Sequence, residues 1–164
     1  MLYVNNRTDY LSKHIDFEII NTIGVTNLDN VFKNEYEFNI NIGNWNVSNV
    51  TSMQSTFENC KAFNQDISKW NMSKVTSINS LFLGATKFNS KVNDWDVRNI
   101  IDASGAFMNS TYFSQNIYNW KMNKCIYYTN MFNGCISIRA SNLTLDNSTN
   151  FEMNNNLRMK ILIT

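Results

Sequence analysis

The four tryptophans of this chain stand 25 residues apart, at Trp45, Trp70, Trp95 and Trp120. A pattern of apolar residues repeats with the same period on both sides of each tryptophan. A fixed period of about 20 to 50 residues is typical of repeat proteins, in which units stack because none can bury its own apolar face. The period therefore predicts a stacked array. Counted from a degenerate first unit at Ile20, the array has five units, starting near residues 20, 45, 70, 95 and 120.

Each tryptophan has an apolar residue three positions before it and another two positions after it. In the unit at Trp70 these residues are Ile67 and Met72. Their spacing is that of a leucine-rich-repeat strand signature with tryptophan in the middle position. Because side chains alternate along a strand, Trp70 and Met72 are expected on one face of a short strand in a parallel sheet.

The second half of each unit has a different spacing. After Trp70, the residues Val75, Ile78, Phe82 and Ala85 follow at intervals of three, four and three positions. These intervals are helical and predict about two turns of helix in each unit.

Polar residues near this segment match the signals of helix ends. Thr26-x-x-Asp29, Thr51-x-x-Gln54 and Thr76-x-x-Asn79 resemble capping boxes. Asn and Gly share a later column suited to positive φ at a helix end, and this column holds Asn59, Gly84, Asn109 and Gly134. The sequence thus predicts an α/β repeat, a leucine-rich-repeat-like solenoid with one short parallel strand and one short helix per 25-residue unit.

The repeat columns also predict the domain organisation. Residues 1–19 are expected to form an N-terminal cap, residues 20–138 the five-unit solenoid and residues 139–164 a C-terminal cap. In the tail, apolar residues alternate from Leu157 to Ile163, as in an edge strand that closes the stack or pairs with a partner.

Composition argues against several classes of partner. The 14 basic and 13 acidic residues are interspersed and give a net charge of +1, which predicts no binding of nucleic acid. No apolar run is long enough for membrane insertion. About 30 residues are asparagine, an excess that either reflects a biased coding genome or serves turns, where asparagine tolerates left-handed conformations.

No motif predicts catalysis, a metal or a cofactor. His14 is the single histidine, so a catalytic triad would depend on one residue near the terminus. The cysteines Cys60, Cys125 and Cys135 lack the spacing of a zinc site and occupy apolar columns, which predicts small buried residues. Glycine-rich phosphate-binding motifs are also missing from the sequence. We therefore expect a non-enzymatic protein.

The outward positions of the predicted strands form the candidate partner-binding face. Repeat proteins bind partners along such extended faces. Asp94 and Asp96 lie there beside Lys69 and Lys121 of the adjacent repeats, which predicts opposite-charge pairs between repeats. The face comprises Lys69, Asn71, Ser73, Asp94, Asp96, Arg98, Asn119, Lys121 and Asn123.

The run from Phe63 to Ala85, FNQDISKWNMSKVTSINSLFLGA, resembles the BspA-like leucine-rich repeats of Mycoplasma surface lipoproteins, other microbial surface proteins and some large DNA viruses. The resemblance covers residues 38–138. It implies a right-handed solenoid with a role in surface attachment or protein interaction, and it implies no catalysis.

Three functional hypotheses follow. The first is a protein-interaction or scaffold module that uses its sheet face or its end caps. The second is a structural subunit of a large assembly, such as a minor capsid or other virion protein of a large DNA virus, with other subunits as partners. The third is an adhesin-like surface protein. The N-terminus has no secretion signal, which predicts a non-secreted protein of the cytoplasm or a virion, with the cell surface as the alternative.

Overall fold

The computed structural model describes Phe17, residues 20–117 and residues 119–138. These residues wind into stacked coils that repeat every 25 residues. We define coil 1 as residues 26–50, coil 2 as 51–75, coil 3 as 76–100, coil 4 as 101–125 and coil 5 as 126–138. The predicted caps fall outside the described residues except for Phe17, and so does His14.

The predicted α/β architecture is wrong. Within the described residues, secondary structure consists of one 3₁₀ residue, Phe17, and isolated parallel bridges between successive coils. The bridges join Asn27 to Ser52, Ser52 to Ser77, Ser77 to Asp102 and Asp102 to Tyr127. Neither the predicted helix nor the predicted strand around each tryptophan is present there.

Each coil is built from β-turns. In coil 2, six backbone N–H groups donate to the carbonyl three residues earlier, the hydrogen bond that closes a β-turn. The six turns span 53–56, 55–58, 57–60, 60–63, 67–70 and 72–75, and coils 1, 3 and 4 repeat them at the equivalent positions. A solenoid of turns therefore replaces the expected solenoid of strands and helices.

Successive coils are joined by backbone hydrogen bonds from alternate residues. The N–H groups of Met53, Ser55, Phe57 and Asn59 donate to carbonyls of coil 3 at 2.7 to 3.0 Å. The second and fourth of these positions have positive φ in every coil. They are occupied by Asn30, Asn34, Ser55, Asn59, Ser80, Gly84, Gly105, Asn109, Asn130 and Gly134. The predicted positive φ is therefore confirmed, although it lies within a series of turns and not at a helix end.

This alternation explains why the apolar spacing looked helical. An α-helix requires consecutive N–H groups to donate four residues back along the chain, whereas here alternate N–H groups leave the coil. The overlapping turns bring residues such as Met53, Phe57 and Cys60 inward at intervals of four and three.

The predicted capping threonines have another role, since Thr51 Oγ1 donates to Thr26 O of the previous coil at 3.2 Å.

The inward orientation of the tryptophans is confirmed. All four are buried, with at most 9% of their surface exposed. Each indole Nε1–H donates to a backbone carbonyl 28 residues earlier in the chain, as Trp95 does to Ile67 O at 3.1 Å. The same bond joins Trp45 to Phe17, Trp70 to Ile42 and Trp120 to Val92. Tryptophan thus fills the core and also satisfies its own polar group, as buried indoles usually do.

Phenylalanine rings form two stacked columns beside the tryptophans. In the first column, which includes Phe57 and Phe82, neighbouring ring centroids are 5.5 Å apart. In the second, which includes Phe63 and Phe88, they are 5.8 to 6.1 Å apart. The rings of Phe82 and Phe88 in one coil also stack, at 3.7 Å. Because aromatic rings have large apolar areas, these columns contribute much of the buried surface.

Asparagine side chains add further hydrogen bonds between successive coils at the surface. Asn64 N donates to Asn39 Oδ1 at 2.9 Å, and Asn89 N donates to Asn64 Oδ1 at 2.8 Å, each bond crossing one coil. Asparagine also supplies half of the ten positive-φ residues. These roles support the turn-forming explanation of the asparagine excess.

We predict different effects for two glycine-to-alanine substitutions. Gly84 has a φ of 69°, and an added Cβ would lie 2.5 Å from Asn59 Oδ1, so Gly84→Ala should lower the free energy of unfolding by about 1–3 kcal/mol. Gly24 has no atom within 4 Å of an added Cβ, so Gly24→Ala should change it by less than about 0.5 kcal/mol. Urea denaturation measures both values, and equal effects would contradict the assigned backbone conformation.

A second prediction separates the two contributions of the tryptophans. Trp95→Phe keeps an aromatic ring but removes the Nε1–H donated to Ile67 O, so it should cost about 1–2 kcal/mol of unfolding free energy. Trp95→Ala also removes the ring from the core and should cost about 3–5 kcal/mol. Urea denaturation tests both variants, with the exposed Lys91→Ala as control. Stability equal to wild type in Trp95→Phe would show that the indole bond contributes nothing.

Candidate functional site

All nine residues of the predicted face lie at the surface. Two of them, Ser73 and Asp96, are half-buried and the other seven are exposed. Six of them lie in the turns 67–70 and 72–75 or in the equivalent turns of coils 3 and 4, and the other three, Asn71, Asp96 and Lys121, lie between two such turns. None lies on the strands that the sequence predicted. The face therefore exists as a set of surface positions, although its predicted sheet does not.

Asx-type hydrogen bonds shape the backbone of this face. Asn71 Oδ1 accepts a hydrogen bond from Ser73 N at 3.0 Å, and Asp96 Oδ1 accepts one from Arg98 N at 3.3 Å. Asn and Asp favour this bond because their short side chains reach the backbone two residues ahead. It holds positions 71–73 and 96–98 in the same turn in successive coils.

Four of the nine predicted residues surround a depression of about 280 Å³. We call it the coil 3–4 depression. Its lining comprises Trp95, Asp96, Val97, Arg98, Asn119 and Lys121. The remaining predicted residues do not line it; these are Lys69, Asn71, Ser73, Asp94 and Asn123.

The charges in the depression are paired differently from the prediction. Arg98 binds the Asp96 carboxylate with two hydrogen bonds, from Nε to Oδ1 at 2.9 Å and from Nη2 to Oδ2 at 2.8 Å. Asp94 instead accepts a hydrogen bond from Asn93 Nδ2 at 3.0 Å. The predicted pairs with Lys69 and Lys121 are not formed among the described residues.

The ion pair defines the electrostatics of the depression. Hydrogen bonds from Arg98 lower the pKa of Asp96, and the same carboxylate raises the pKa of Arg98. Both groups thus remain charged near neutral pH and offset each other. Lys121 lies across the depression and has no ion pair or hydrogen bond within the part of the chain that the structure describes. The depression therefore offers one cationic group that a ligand can pair.

Two parts of this surface were not predicted from the sequence. Trp95 and Val97 were assigned only to the core, yet both also line the depression. A second polar column was not recognised, in which Lys74 Nζ donates to Asn49 Oδ1 and Lys124 Nζ donates to Asn99 Oδ1, both at 2.7 Å. The alternation of Asn and Lys at 25-residue intervals was the available signal for this column.

The cysteines lie in the core, as predicted. All three are free thiols and buried. The Cys60 thiol donates to Phe32 O at 3.0 Å, and in the same column Ser110 Oγ donates to Phe82 O at 2.6 Å. Burial raises the pKa of Cys60 and Cys135 to about 12 and that of Cys125 to about 11. Since the thiolate is the reactive form, these groups are poor nucleophiles.

No group of three histidine, cysteine or carboxylate side chains that could hold a metal ion occurs within the described ranges. Over the same residues, no helical segment has the length and apolarity that crossing a bilayer requires.

The sequence matches the family described as "Mycoplasma protein of unknown function, DUF285" over residues 3–114 and again over residues 69–160. The chain belongs to this family. The two DUF285 matches overlap, as expected when one family pattern fits a repeat in more than one register. The predicted resemblance is thereby confirmed at the level of a Mycoplasma-type repeat family. No curated protein and no solved structure matches the chain.

The burial of the thiols predicts their reactivity. In the native protein at about pH 8, Ellman's reagent should modify the three cysteines slowly, with Cys125 first because its pKa is raised least. In urea all three should react at the rate of a free thiol. Cys125→Ser identifies the faster phase. Rapid modification of all three in the native protein would contradict their place in the core.

Proposed function

We propose that this DUF285 protein is a non-enzymatic interaction module that binds a partner protein through the coil 3–4 depression. The observation that supports this proposal is the depression itself, since it places Lys121, which has no partner among the described residues, beside the Arg98–Asp96 ion pair. Polar and charged side chains form the solvent-accessible rim of many protein interfaces. The buried, weakly acidic thiols also argue against nucleophilic catalysis by cysteine.

The charges favour a partner with an acidic side chain. Arg98 is already neutralised by Asp96 at 2.8 Å, so Lys121 is the cation left for an incoming group. Asn119 can donate or accept hydrogen bonds at the same rim. A carboxylate of the partner would pair with Lys121 at this rim. Charge pairs of this kind contribute specificity and speed association.

We also propose the narrower assignment to the BspA-like repeats, which is supported by the run from Phe63 to Ala85 and by the family match that spans it. The assignment concerns the sequence family, and in this chain the family's pattern corresponds to coils of turns. A role in protein interaction agrees with the binding surface proposed above.

Site-specific photo-cross-linking in the source cells tests the proposal. A photoreactive amino acid replacing Asn119 should form a cross-link to one partner, because this side chain lies at the rim of the depression. Adding Lys121→Glu should lower the cross-linking yield by about tenfold, since it replaces attraction by repulsion of an acidic group. Mass spectrometry identifies the partner and quantifies the yield.

Lys87 provides the matched control. It is exposed but does not line the depression, so Lys87→Glu makes the same charge change elsewhere on the stack. The yield from position 119 should then stay within about twofold of the original. Equal losses from the two variants, or no cross-link from position 119, would refute the depression as the binding site.

A further inference from the structure

Asparagine amides hold two lysines in place at equivalent positions of coils 2 and 4. Lys124 Nζ donates to Asn99 Oδ1 at 2.7 Å, while Asn99 Nδ2 donates to the carbonyl of Ser73 at 2.7 Å. Lys74 is bound in the same way by Asn49, whose Nδ2 donates to a backbone carbonyl at 2.9 Å. Because each amide nitrogen is already bound to a carbonyl, the amide oxygen is the atom directed at the lysine. We call these two asparagines and two lysines the Asn–Lys column.

The asparagines fix the two ammonium groups without neutralising them. A lysine ammonium has three N–H donors, and the amide accepts from one of them, so the other donors and the full charge remain. Neither lysine of the column has an ion pair among the described residues. In another column successive coils are joined by opposite charges, since Lys33 Nζ lies 2.9 Å from Glu58 Oε2. An ion pair of that kind would join coils equally well but would cancel the charge, which the neutral amides leave available to a ligand.

The surface around the column has an excess of positive charge. It comprises the outward side chains of residues 69–74, 94–99 and 119–124, which occupy equivalent positions of coils 2, 3 and 4. Its basic residues are Lys69, Lys74, Arg98, Lys121 and Lys124, and its acidic residues are Asp94 and Asp96. Because the whole chain has a net charge of only +1, positive charge is concentrated on this surface.

We propose that an acidic segment of the partner protein binds along the Asn–Lys column, from coil 2 to coil 4. This inference rests on the proposed function, because the column adjoins the coil 3–4 depression: Asn99 directly follows Arg98, which lines it. Successive coils are paired in parallel and such pairs lie about 4.8 Å apart, so the two ammonium groups are separated by about 10 Å. An extended segment of about four residues spans this distance and can pair one carboxylate with each lysine.

An acidic peptide fits this surface better than a nucleic acid does. Proteins that bind single strands stack the bases on exposed aromatic side chains. The aromatic residues of this surface are buried tryptophans, Trp70, Trp95 and Trp120, so bases have nothing to stack on. Its arginine, Arg98, could bind a phosphate with two hydrogen bonds, but both are already made to Asp96. The other cations of this surface are lysines, whose compact charges suit single carboxylates.

Fluorescence anisotropy with a labelled oligoglutamate of about ten residues tests this inference on the full-length chain. The peptide should bind at low ionic strength and dissociate as salt rises, because salt screens exposed charges. Replacing both column lysines, Lys74→Gln with Lys124→Gln, should weaken binding by about tenfold. Lys87→Gln with Lys91→Gln is the matched control, since it removes the same charge from exposed lysines outside this surface. The control should weaken binding by less than about twofold.

A further double variant tests the role of the neutral amides. Asn49→Asp with Asn99→Asp keeps both lysines but places a carboxylate beside each ammonium group. It should therefore weaken oligoglutamate binding at least as much as replacement of the two lysines does. Urea denaturation is measured on the same samples, so that a loss of binding is assigned only to folded protein.

Three results would overturn this inference: no binding of oligoglutamate at low salt, equal weakening by the two lysine double variants, or tighter binding of an oligothymidylate of equal charge. In the photo-cross-linking experiment, a yield lowered by Lys121→Glu but unchanged by Lys74→Gln with Lys124→Gln would overturn this inference alone. Its failure is therefore distinguishable from failure of the proposed function.

Discussion

Backbone hydrogen bonds between coils are the interaction on which the rest of this structure depends. Alternate N–H groups point along the stack because every second donor position has positive φ. Many of the remaining N–H groups close β-turns within the coil, and the apolar side chains point inward. Aromatic columns can form only because this pairing holds equivalent residues one above another. Hydrogen bonding thus sets the register, and apolar burial supplies much of the stabilisation.

The period and the buried columns could be predicted from the sequence, whereas the backbone conformation could not. Trp70, Phe82 and their equivalents recur at a fixed interval, and a repeated apolar column has few places to lie except the core. The spacing of Met53, Phe57 and Cys60, however, is compatible both with a helix and with overlapping turns. The positive φ at Ser55 and Asn59 distinguishes overlapping turns from a helix. Serine is an uncommon residue for that conformation, so its position did not indicate the turns.

The surface could be predicted in part for the same reason. Asp96, Arg98, Asn119 and Lys121 were identified as outward because they alternate with buried residues, and this alternation survives in the turns. Their ion pairing was not predictable, because it depends on the turn that brings Arg98 back to Asp96 within one coil. Cross-strand pairing with Lys69 or Lys121 assumed a flat sheet, and a turn directs these side chains differently.

The indole bonds have a consequence for how the chain tolerates changes in length. Each links a tryptophan to a carbonyl 28 residues earlier, and the ladder beside it links residues 24 to 26 apart. Inserting or deleting one residue inside a coil would change the separation of every bonded pair that spans the change. The donors and acceptors of both sets would then no longer face each other. A complete extra coil would shift none of them. The hydrogen bonding therefore allows the stack to be lengthened or shortened only by whole coils of 25 residues.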